Sequence, residues 1–310
     1  MSESPAAQWE RLQETVANIR TETGRVIVGQ DEIVEQLLTS LLCKGHCLLV
    51  GVPGLAKTLL IATLGRILGL KFQRIQFTPD LMPTDIVGSE ILQTHGGGER
   101  SFEFVPGPIF ANLILADEIN RTPPKTQAAL LEAMQEKQVT VNGKTRKLDE
   151  PFIVFATQNP IEHEGTYPLP EAQRDRFMAR ISMGAPSARA ELDMLDLHGG
   201  VSPLDALQPV TDAATVSAMV RAVREVHASP SVRQYIVDLT HATRSSSALR
   251  LGASPRATIH LLRASRAHAA LAGRDHVLPD DVQQVAVAVL AHRLIPTGET
   301  QMAHRSTADV

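Results

Sequence analysis

The sequence has few aromatic side chains and few cysteines. Phe, Trp and Tyr make up 4% of its 310 residues, and its two cysteines are Cys43 and Cys47. Even with His46 between them, these thiols supply too few ligands for a structural zinc site. We expect reduced, buried thiols, as in proteins of a reducing compartment. Apolar side chains that are mostly Ala, Leu, Val and Ile favour an α/β fold with helical packing over a β-sandwich.

The sequence also lacks an excess of basic charge and any long apolar run. Its 30 Lys and Arg against 34 Asp and Glu give a net charge of −4, so no overall basic field attracts nucleic acid. No apolar run approaches the roughly 20 residues of a membrane helix, and the first residues carry no apolar core of a signal peptide. We therefore expect a cytoplasmic protein without membrane insertion. The length is enough for about two domains.

Residues 47–58 predict a phosphate-binding loop. A short apolar run, typical of a buried strand, is followed by a turn containing Gly51 and Gly54, and Lys57-Thr58 then opens an apolar helical pattern. Bare backbone at the two glycines lets amide N–H groups point at phosphate oxygens, and the helix N-terminus adds partial positive charge. Lys57 can reach the β- and γ-phosphates, and Thr58 can offer its hydroxyl to Mg²⁺.

Ala56 departs from the general pattern of such loops, which place glycine immediately before the lysine. Alanine adds only a methyl group, so we expect the loop to survive if this residue is helical. The alternative is an ordinary glycine turn before a helix. The strand before the loop and the Lys-Thr pair at the right offset argue against that alternative.

Two further strands are predicted to end in polar residues that suit phosphate chemistry. Residues 111–118 form an apolar run that ends in Asp117 and Glu118, at the strand edge where ligands of open α/β sheets bind. Asp117 is suited to hold Mg²⁺, directly or through water, and Glu118 to orient and polarise an attacking water. The apolar run 152–157 leads to Asn159, whose amide can bond a γ-phosphate or that water.

The remaining pattern predicts inserts and a second domain. Polar hairpins are expected at 88–105, with a flexible tip at 94–100, and at 138–148, where Asn142-Gly143 is a strong turn signal. From about residue 212 the pattern is helical. The expected organisation is an N-terminal helix (1–24), an α/β core (25–186), a linker (187–209), an all-helical lid (210–296) and a loose tail (297–310).

The set of motifs, in this order, resembles AAA+ ATPases, and within them the MoxR family. Besides the phosphate loop with alanine before lysine, similar stretches lie at 75–83, 116–121, 156–160 and 164–177. The resemblance covers about residues 25–295. It implies a P-loop AAA+ core with a central parallel sheet and a small all-helical lid, and ATP hydrolysis with ATP and Mg²⁺ as cofactors.

Position by position, the resemblance implies roles for individual residues. The implied nucleotide-binding residues are Gly29, Gln30, Gly51, Val52, Pro53, Gly54, Leu55, Ala56, Lys57, Thr58, Leu59 and Arg256. The implied catalytic residues are Lys57, Glu118, Asn159 and Arg176, and the implied metal ligands are Thr58 and Asp117. The turn at 28–30 would lie near adenine, Asn159 would sense the γ-phosphate, and Arg256 would contact ATP from the lid. Arg176 looks like the arginine finger for a neighbouring subunit, with Arg174 as the alternative.

The resemblance also implies partners. It predicts a hexameric ring in which the hairpin inserts face the pore or the clients, and a chaperone-like role in remodelling or maturing proteins, with a separate partner that carries a von Willebrand A (VWA) domain. The alternative function is a nucleic-acid motor or loader, for which Lys144, Arg146 and Lys147 on the second hairpin are the support. A third alternative is a small-molecule kinase or a GTPase with the same phosphate loop. The Asn-Lys-x-Asp guanine motif is absent, and the helical lid with a sensor arginine argues against both.

Overall fold

The structure is a computed structural model that describes residues 5–94, 100–160, 165–198 and 203–310. The interior of the expected hairpin tip, residues 95–99, lies outside the described residues, as does residue 164 of the motif at 164–177. Within the described ranges, no helix combines the length and the apolar character needed to cross a membrane.

The α/β part contains the following elements in chain order: α1 (Pro5–Gly24), α2 (Asp31–Leu42), β1 (Cys47–Val50), α3 (Lys57–Ile67), β2 (Phe72–Gln76), α4 (Pro83–Val87), β3 (Gly88–Thr94), β4 (Arg100–Pro106), β5 (Leu113–Asp117), α5 (Pro124–Glu136), β6 (Gln138–Val141), β7 (Lys144–Lys147), β8 (Ile153–Gln158), α6 (Glu171–Arg174) and β9 (Ala179–Ser182). The remaining elements are α7 (Ala188–His198), α8 (Pro203–Ala206), α9 (Ala213–Glu225), α10 (Pro230–Ser245), β10 (Leu249–Leu251), α11 (Pro255–Leu271), α12 (Pro279–Leu290), β11 (Ile295–Pro296) and α13 (Gly298–Met302).

A five-stranded sheet forms the centre of the fold, in the order β2-β5-β8-β1-β9, and every neighbouring pair is parallel. This confirms the predicted central parallel sheet. Because all five strands run in one direction, their carboxyl ends meet at one edge. The phosphate loop follows β1, Asp117 ends β5 and Asn159 follows β8, so this edge collects the predicted chemistry.

Both faces of the sheet are buried, as expected for a parallel sheet with helices on each side. Successive strand residues alternate between the faces: Leu49 and Phe155 belong to the core cluster that includes α1, α2, α3 and the helices after β9, whereas Leu48 and Val154 belong to the cluster with α5. The first cluster is continuous with the second domain, because α11 packs against α2 and α12 packs against β9.

Both expected hairpins form. In the first, β3 and β4 pair antiparallel with Leu92 opposite Phe102, and in the second β6 pairs with β7. Asn142 and Gly143 both have positive φ, 49° and 76°, as the tight turn between β6 and β7 requires.

The expected all-helical lid and loose tail need correction. Between the lid helices, β10 pairs with β11 in a small antiparallel sheet. Residues 298–302 form a helix whose N-cap is Thr297, with the Thr297 side chain accepting the amide of Thr300. The Thr300 hydroxyl is buried and donates to the Ala248 carbonyl at 2.9 Å. The polar tail is therefore held by hydrogen bonds beside the lid sheet, which its composition alone did not indicate.

Candidate functional site

A cavity of about 420 Å³ lies where the carboxyl ends of β1, β5 and β8 meet. Its walls are Pro53, Gly54, Leu55, Ala56, Lys57, Thr58, Arg74, Gln76, Asp117, Glu118, Thr157 and Asn159. The structure thus brings the predicted lysine, threonine, both carboxylates and the asparagine into one site. The other implied nucleotide-binding residues do not line this cavity: Gly29, Gln30, Gly51, Val52, Leu59 and Arg256.

The loop holds its shape through left-handed backbone at two positions. Gly54 has φ +87° and Ala56 has φ +55°. The expected survival of the loop depended on a helical Ala56, and the structure instead makes this residue the left-handed N-cap of α3. A non-glycine residue in this conformation is strained by about 1–2 kcal/mol, and such strain is often found at functional sites.

Lys57 points into the cavity and its ammonium donates to the loop's own Gly51 carbonyl. Burial lowers the pKa of Lys57, and the nearby carboxylates of Asp117 and Glu118 oppose that shift. A phosphate oxygen would be a better partner for this cation than a neutral carbonyl, because hydrogen bonds between ionised groups are the stronger ones.

Gly51 has a different role from the one expected. Its amide donates to the Gln158 carbonyl at 3.4 Å, so it continues the strand pairing with β8 instead of pointing at phosphate. A Cβ atom at this position would lie 2.9 Å from the Met183 carbonyl oxygen and 3.0 Å from the Met183 Cβ. Glycine is needed here because two segments of backbone approach closely.

The Asp117 carboxylate is held by two neighbouring side chains. Its Oδ2 accepts from the Arg74 guanidinium, at 2.6 Å from Nη2 and 3.1 Å from Nε, and its Oδ1 accepts from the Thr157 hydroxyl at 2.6 Å. Asp117 and the Thr58 hydroxyl line the same cavity, and oxygen ligands are those that Mg²⁺ prefers. Two protein ligands fit this ion, which usually keeps several waters and takes substrate phosphate oxygens.

Glu118 is the second residue with a strained backbone in this site, at φ +57° and ψ +48°. Its amide donates to the Thr157 hydroxyl oxygen at 2.8 Å, and its carboxylate accepts from Gln76 Nε2 at 2.9 Å. Arg121 Nε also lies 3.2 Å from Glu118 Oε2. The proposed base is therefore anchored on both its backbone and its carboxylate.

Comparison with known proteins gives the family. The model of the ATPase family associated with various cellular activities (AAA) matches residues 46–179, and an AAA lid domain model matches residues 241–310. The chain is 45% identical over 309 residues to Chaperone MoxR1 of Mycobacterium tuberculosis, covering 96% of this chain and 78% of that protein. The chain belongs to the MoxR family of AAA+ ATPases. This confirms the resemblance found in the motifs, and the chain is an ATPase with an AAA+ core and lid.

Other MoxR relatives match over similar lengths. Protein MoxR of Paracoccus denitrificans is 35% identical over 294 residues, covering 87% of this chain and 85% of that protein. A crystal structure from Cytophaga hutchinsonii, of a protein assigned as an ATPase, superposes with a TM-score of 0.91 at 42% identity, covering 97% of this chain and 93% of that one.

Arg176 does not line the phosphate cavity of its own chain. It precedes β9, whose Ala179 is opposite Cys47, the first residue of β1, whereas the phosphate loop follows the last residue of β1. At about 3.3 Å per residue the two ends of β1 are about 10 Å apart. The Arg176 guanidinium instead donates to the Leu131 carbonyl at 2.9 Å. In this MoxR chain, Arg176 is therefore near the amino ends of the central strands. The predicted catalytic residues Lys57, Glu118 and Asn159 are at the carboxyl ends.

Arg256 lies at the same edge as Arg176. Asp175 accepts from Arg256 Nη1 at 3.3 Å, from the Ser254 hydroxyl at 3.0 Å and from Arg293 Nη1 at 2.6 Å. The structure thus places Arg256 next to the proposed finger and not over the phosphate loop of its own chain. The cause is the docking of the lid on α2 and β9, which the helical periodicity did not indicate.

The turn with Gly29 and Gln30 packs against α7. A Cβ atom on Gly29, which has φ +68°, would lie 2.4 Å from the Ala190 Cβ. Gln30 is the N-cap residue of α2 but makes no side-chain cap bond, and its buried Oε1 has no hydrogen-bond partner among the described residues. An unpartnered acceptor of this kind fits the 6-amino group of adenine.

Sequence reasoning missed three residues of the site: Arg74, Gln76 and Thr157. Arg74 and Gln76 alternate with Ile75 on β2, so both point to the face on which the phosphate loop lies, and Gln76 is opposite Asp117. Polar residues at alternate positions of a strand were a usable signal. Thr157 lies at the end of an apolar run, so the sequence does not single it out. Its role follows from the position of β8 between β5 and β1 in the sheet.

Proposed function

We propose that this ATPase is Mg²⁺-dependent, forms a ring with active sites shared between neighbouring subunits, and remodels protein clients. The observation that carries the shared site is the position of Arg176 at the edge opposite its own phosphate cavity. Copies stacked head to tail would bring one copy's Arg176 edge to the next copy's cavity. An interface of this heterologous type closes into a ring, and the family resemblance favours a hexamer.

The phosphate loop and the metal ligands would bind the triphosphate. Lys57 would move its ammonium from the Gly51 carbonyl to the β- and γ-phosphates. Thr58 and Asp117 would hold Mg²⁺, which when bound neutralises charge on the phosphate oxygens. Gln30 would accept a hydrogen bond from the adenine amino group, which supports ATP over GTP because guanine presents an oxygen at that position.

Glu118 and Asn159 would handle the attacking water. Glu118, once it leaves Gln76, would orient the water and accept its proton as the water oxygen bonds to Pγ. The bond from Pγ to the β–γ bridging oxygen would break in the same step, releasing ADP and inorganic phosphate. Thr157 would keep the Asp117 carboxylate and the Glu118 backbone in their relative positions, since its hydroxyl donates to the first and accepts from the second. The Asn159 amide would hydrogen-bond the γ-phosphate.

Arg176 and Arg256 would act together on the neighbour's nucleotide. Both lie beside Asp175, which links the lid to the segment before β9. A guanidinium placed on the transferring phosphoryl group stabilises the charge that develops there. Arg174, the alternative finger, lines a separate cavity of about 490 Å³ that also touches Asn159, and its buried Nε has no partner among the described residues. We assign the finger to Arg176 and test Arg174 beside it.

The first hairpin supports a protein client. Phe102 and Leu92 are opposite each other and are 71% and 52% exposed, so the hairpin presents an apolar pair to its surroundings. A relative that covers most of this chain is named Chaperone MoxR1. We propose unfolded or partly folded apolar segments as clients, a cytoplasmic location, and a separate VWA-domain protein as partner, the last two from the family resemblance alone.

The structure does not favour the alternative of a nucleic-acid motor. On the second hairpin, Lys144 and Arg146 lie 3.3 and 3.8 Å from Glu90 of the first hairpin, and the Arg146 guanidinium stacks 3.6 Å from the Phe104 ring centroid. Two of the three basic residues that supported that alternative, Lys144 and Arg146, therefore contact the other hairpin.

Mixing two inactive variants tests the shared site. Glu118→Gln removes the base but keeps the finger, and Arg176→Ala does the reverse. If the finger acts on the neighbour, equal mixing should restore about a quarter of the wild-type ATPase rate, because one interface in four pairs an intact cavity with an intact finger. Arg174→Ala mixed with Glu118→Gln is the matched control. Persistent inactivity of the Arg176 mixture, in rings that form normally, would reject the shared site.

A further inference from the structure

The carboxylate proposed as a metal ligand, Asp117, is paired with a cation of its own chain. Arg74 places two donors on Asp117 Oδ2, at 2.6 and 3.1 Å, while the Asp117 side chain is 16% exposed. The Arg74 Nη2 also donates to the Gln76 side-chain oxygen Oε1 at 2.5 Å, which orients the guanidinium. The guanidinium therefore occupies an oxygen that the proposed metal site needs.

The fold explains why an arginine from β2 reaches this point. Arg74 is opposite Leu115 in the parallel pairing, two residues before the Gln76 and Asp117 pair. Ile75 points into the core with α5, so Arg74 and Gln76 point to the other face, where the cavity lies. Since β2 is an edge strand, the long side chain has room to lie along the cavity rim and to move away from it.

Charge makes this contact a competition. The guanidinium and a divalent cation are both attracted to the same carboxylate oxygen. A divalent cation that binds Asp117 has to displace Arg74. Without Arg74, the Asp117 charge would face the phosphates directly whenever no metal is present, and like charges at this range repel.

We propose that Arg74 is a stand-in cation for the metal site. It neutralises Asp117 while the metal is absent, which lets nucleotide enter the cavity, and Mg²⁺ then displaces it. This inference rests on the proposed function only in its assignment of Mg²⁺ to Asp117. Arg74 is a positioning residue that acts through Asp117, and its proposed role does not require it to touch the nucleotide.

The proposal predicts two opposite effects of Arg74→Gln. In EDTA, the affinity for a fluorescent non-hydrolysable ATP analogue should fall about three- to tenfold, because Asp117 then lacks the cation that is hydrogen-bonded to it. In a Mg²⁺ titration at a fixed analogue concentration, Mg²⁺ should bind more tightly. Its midpoint concentration should be about three- to tenfold lower, because the Arg74 guanidinium no longer competes for Asp117. Arg74→Lys keeps the charge and should lie between the wild type and Arg74→Gln.

Two controls separate this role from general damage. Arg20→Gln removes a similarly exposed arginine from an ion pair with Glu35, away from the cavity, and should change neither binding measurement. Asp117→Asn removes the carboxylate for which both cations compete. Adding Arg74→Gln to Asp117→Asn should then leave the Mg²⁺ midpoint unchanged.

The possible results separate the proposed role of Arg74 from a direct role in phosphate binding and from a wrong metal assignment. Weaker analogue binding with and without metal at an unchanged Mg²⁺ midpoint would make Arg74 an ordinary phosphate ligand and overturn the proposal. No change in either measurement, in Arg74→Gln protein with a wild-type melting curve, would overturn it as well. If instead the wild type binds the analogue identically in EDTA and Mg²⁺, the assignment of the metal to Asp117 fails, which is a failure of the proposed function. Should Arg74→Gln not fold, the Arg74→Lys midpoint decides.

Discussion

Replacing Thr157 by valine should remove the hydrogen bonds that hold Asp117 and Glu118 without changing the volume of the side chain. Thr157 is 1% exposed, and its hydroxyl donates to Asp117 at 2.6 Å and accepts the Glu118 amide at 2.8 Å. Valine keeps the volume and removes both bonds. A hydrogen bond to a charged group contributes about 1.5–3 kcal/mol and a neutral one about 1 kcal/mol. Since Asp117 keeps Arg74 and some water access, we expect Thr157→Val to lower the free energy of unfolding by about 2–3 kcal/mol.

The chain offers a matched control in Thr63. Its side chain is 0% exposed, but its buried hydroxyl has no hydrogen-bond partner among the described residues. Threonine and valine are both β-branched and have similar helix propensity, so Thr63→Val within α3 removes a buried polar group at little other cost. We expect its free energy of unfolding to stay level or to rise by up to about 1 kcal/mol.

Urea unfolding followed by circular dichroism measures the free energy of unfolding of both variants. Their affinity for the Mg²⁺-loaded ATP analogue measures the effect on the site. Thr157→Val should bind the analogue about tenfold more weakly, because the Asp117 carboxylate is no longer held in position. This corresponds to a loss of about 1.4 kcal/mol of binding free energy. Thr63→Val should bind it as the wild type does. Equal loss of stability in the two variants would refute the reasoning, because the destabilisation would then follow from burial of threonine and not from its hydrogen bonds.

Two further predictions concern backbone strain and pH. Ala56→Val puts a β-branched side chain at φ +55° and should weaken analogue binding at least about tenfold, whereas Ala56→Gly should preserve it. Isothermal titration calorimetry measures the binding of both variants. Normal binding by Ala56→Val would contradict the left-handed conformation. Burial lowers the pKa of His46 from 6.5 to about 4, so its contribution to stability is complete above pH 6.5 and is lost as the pH falls towards 4. His46→Gln should reduce the pH slope of the unfolding free energy in that window by up to about 1.4 kcal/mol per pH unit, and an unchanged slope would show that His46 is not the titrating group.

The parts of the site that follow strand ends could be predicted from the sequence. Lys57, Asp117, Glu118 and Asn159 each adjoin a short apolar run, and parallel strands necessarily bring such ends to one edge. Strand periodicity and order in the chain were enough to place them. The structure brings these four residues to one cavity, although six of the implied nucleotide-binding residues do not line it.

Features that depend on which segments pack together were not predictable in the same way. Arg74 and Thr157 acquire their roles only from the register of β2 and β8 against β5. The left-handed Ala56 depends on how the whole loop closes. Arg256 depends on where the lid docks, and amphipathic helices show which face is buried but not what buries it.

The separation of Arg176 from the phosphate cavity has a consequence for counting active sites. If each copy carries half a site at either edge of its sheet, an open row of n copies has n − 1 complete sites and one unused half at each end. The last complete site appears only when the row closes on itself. Closure would then be measurable as chemistry, because the hydrolysis rate per copy would rise along with the fraction of closed assemblies.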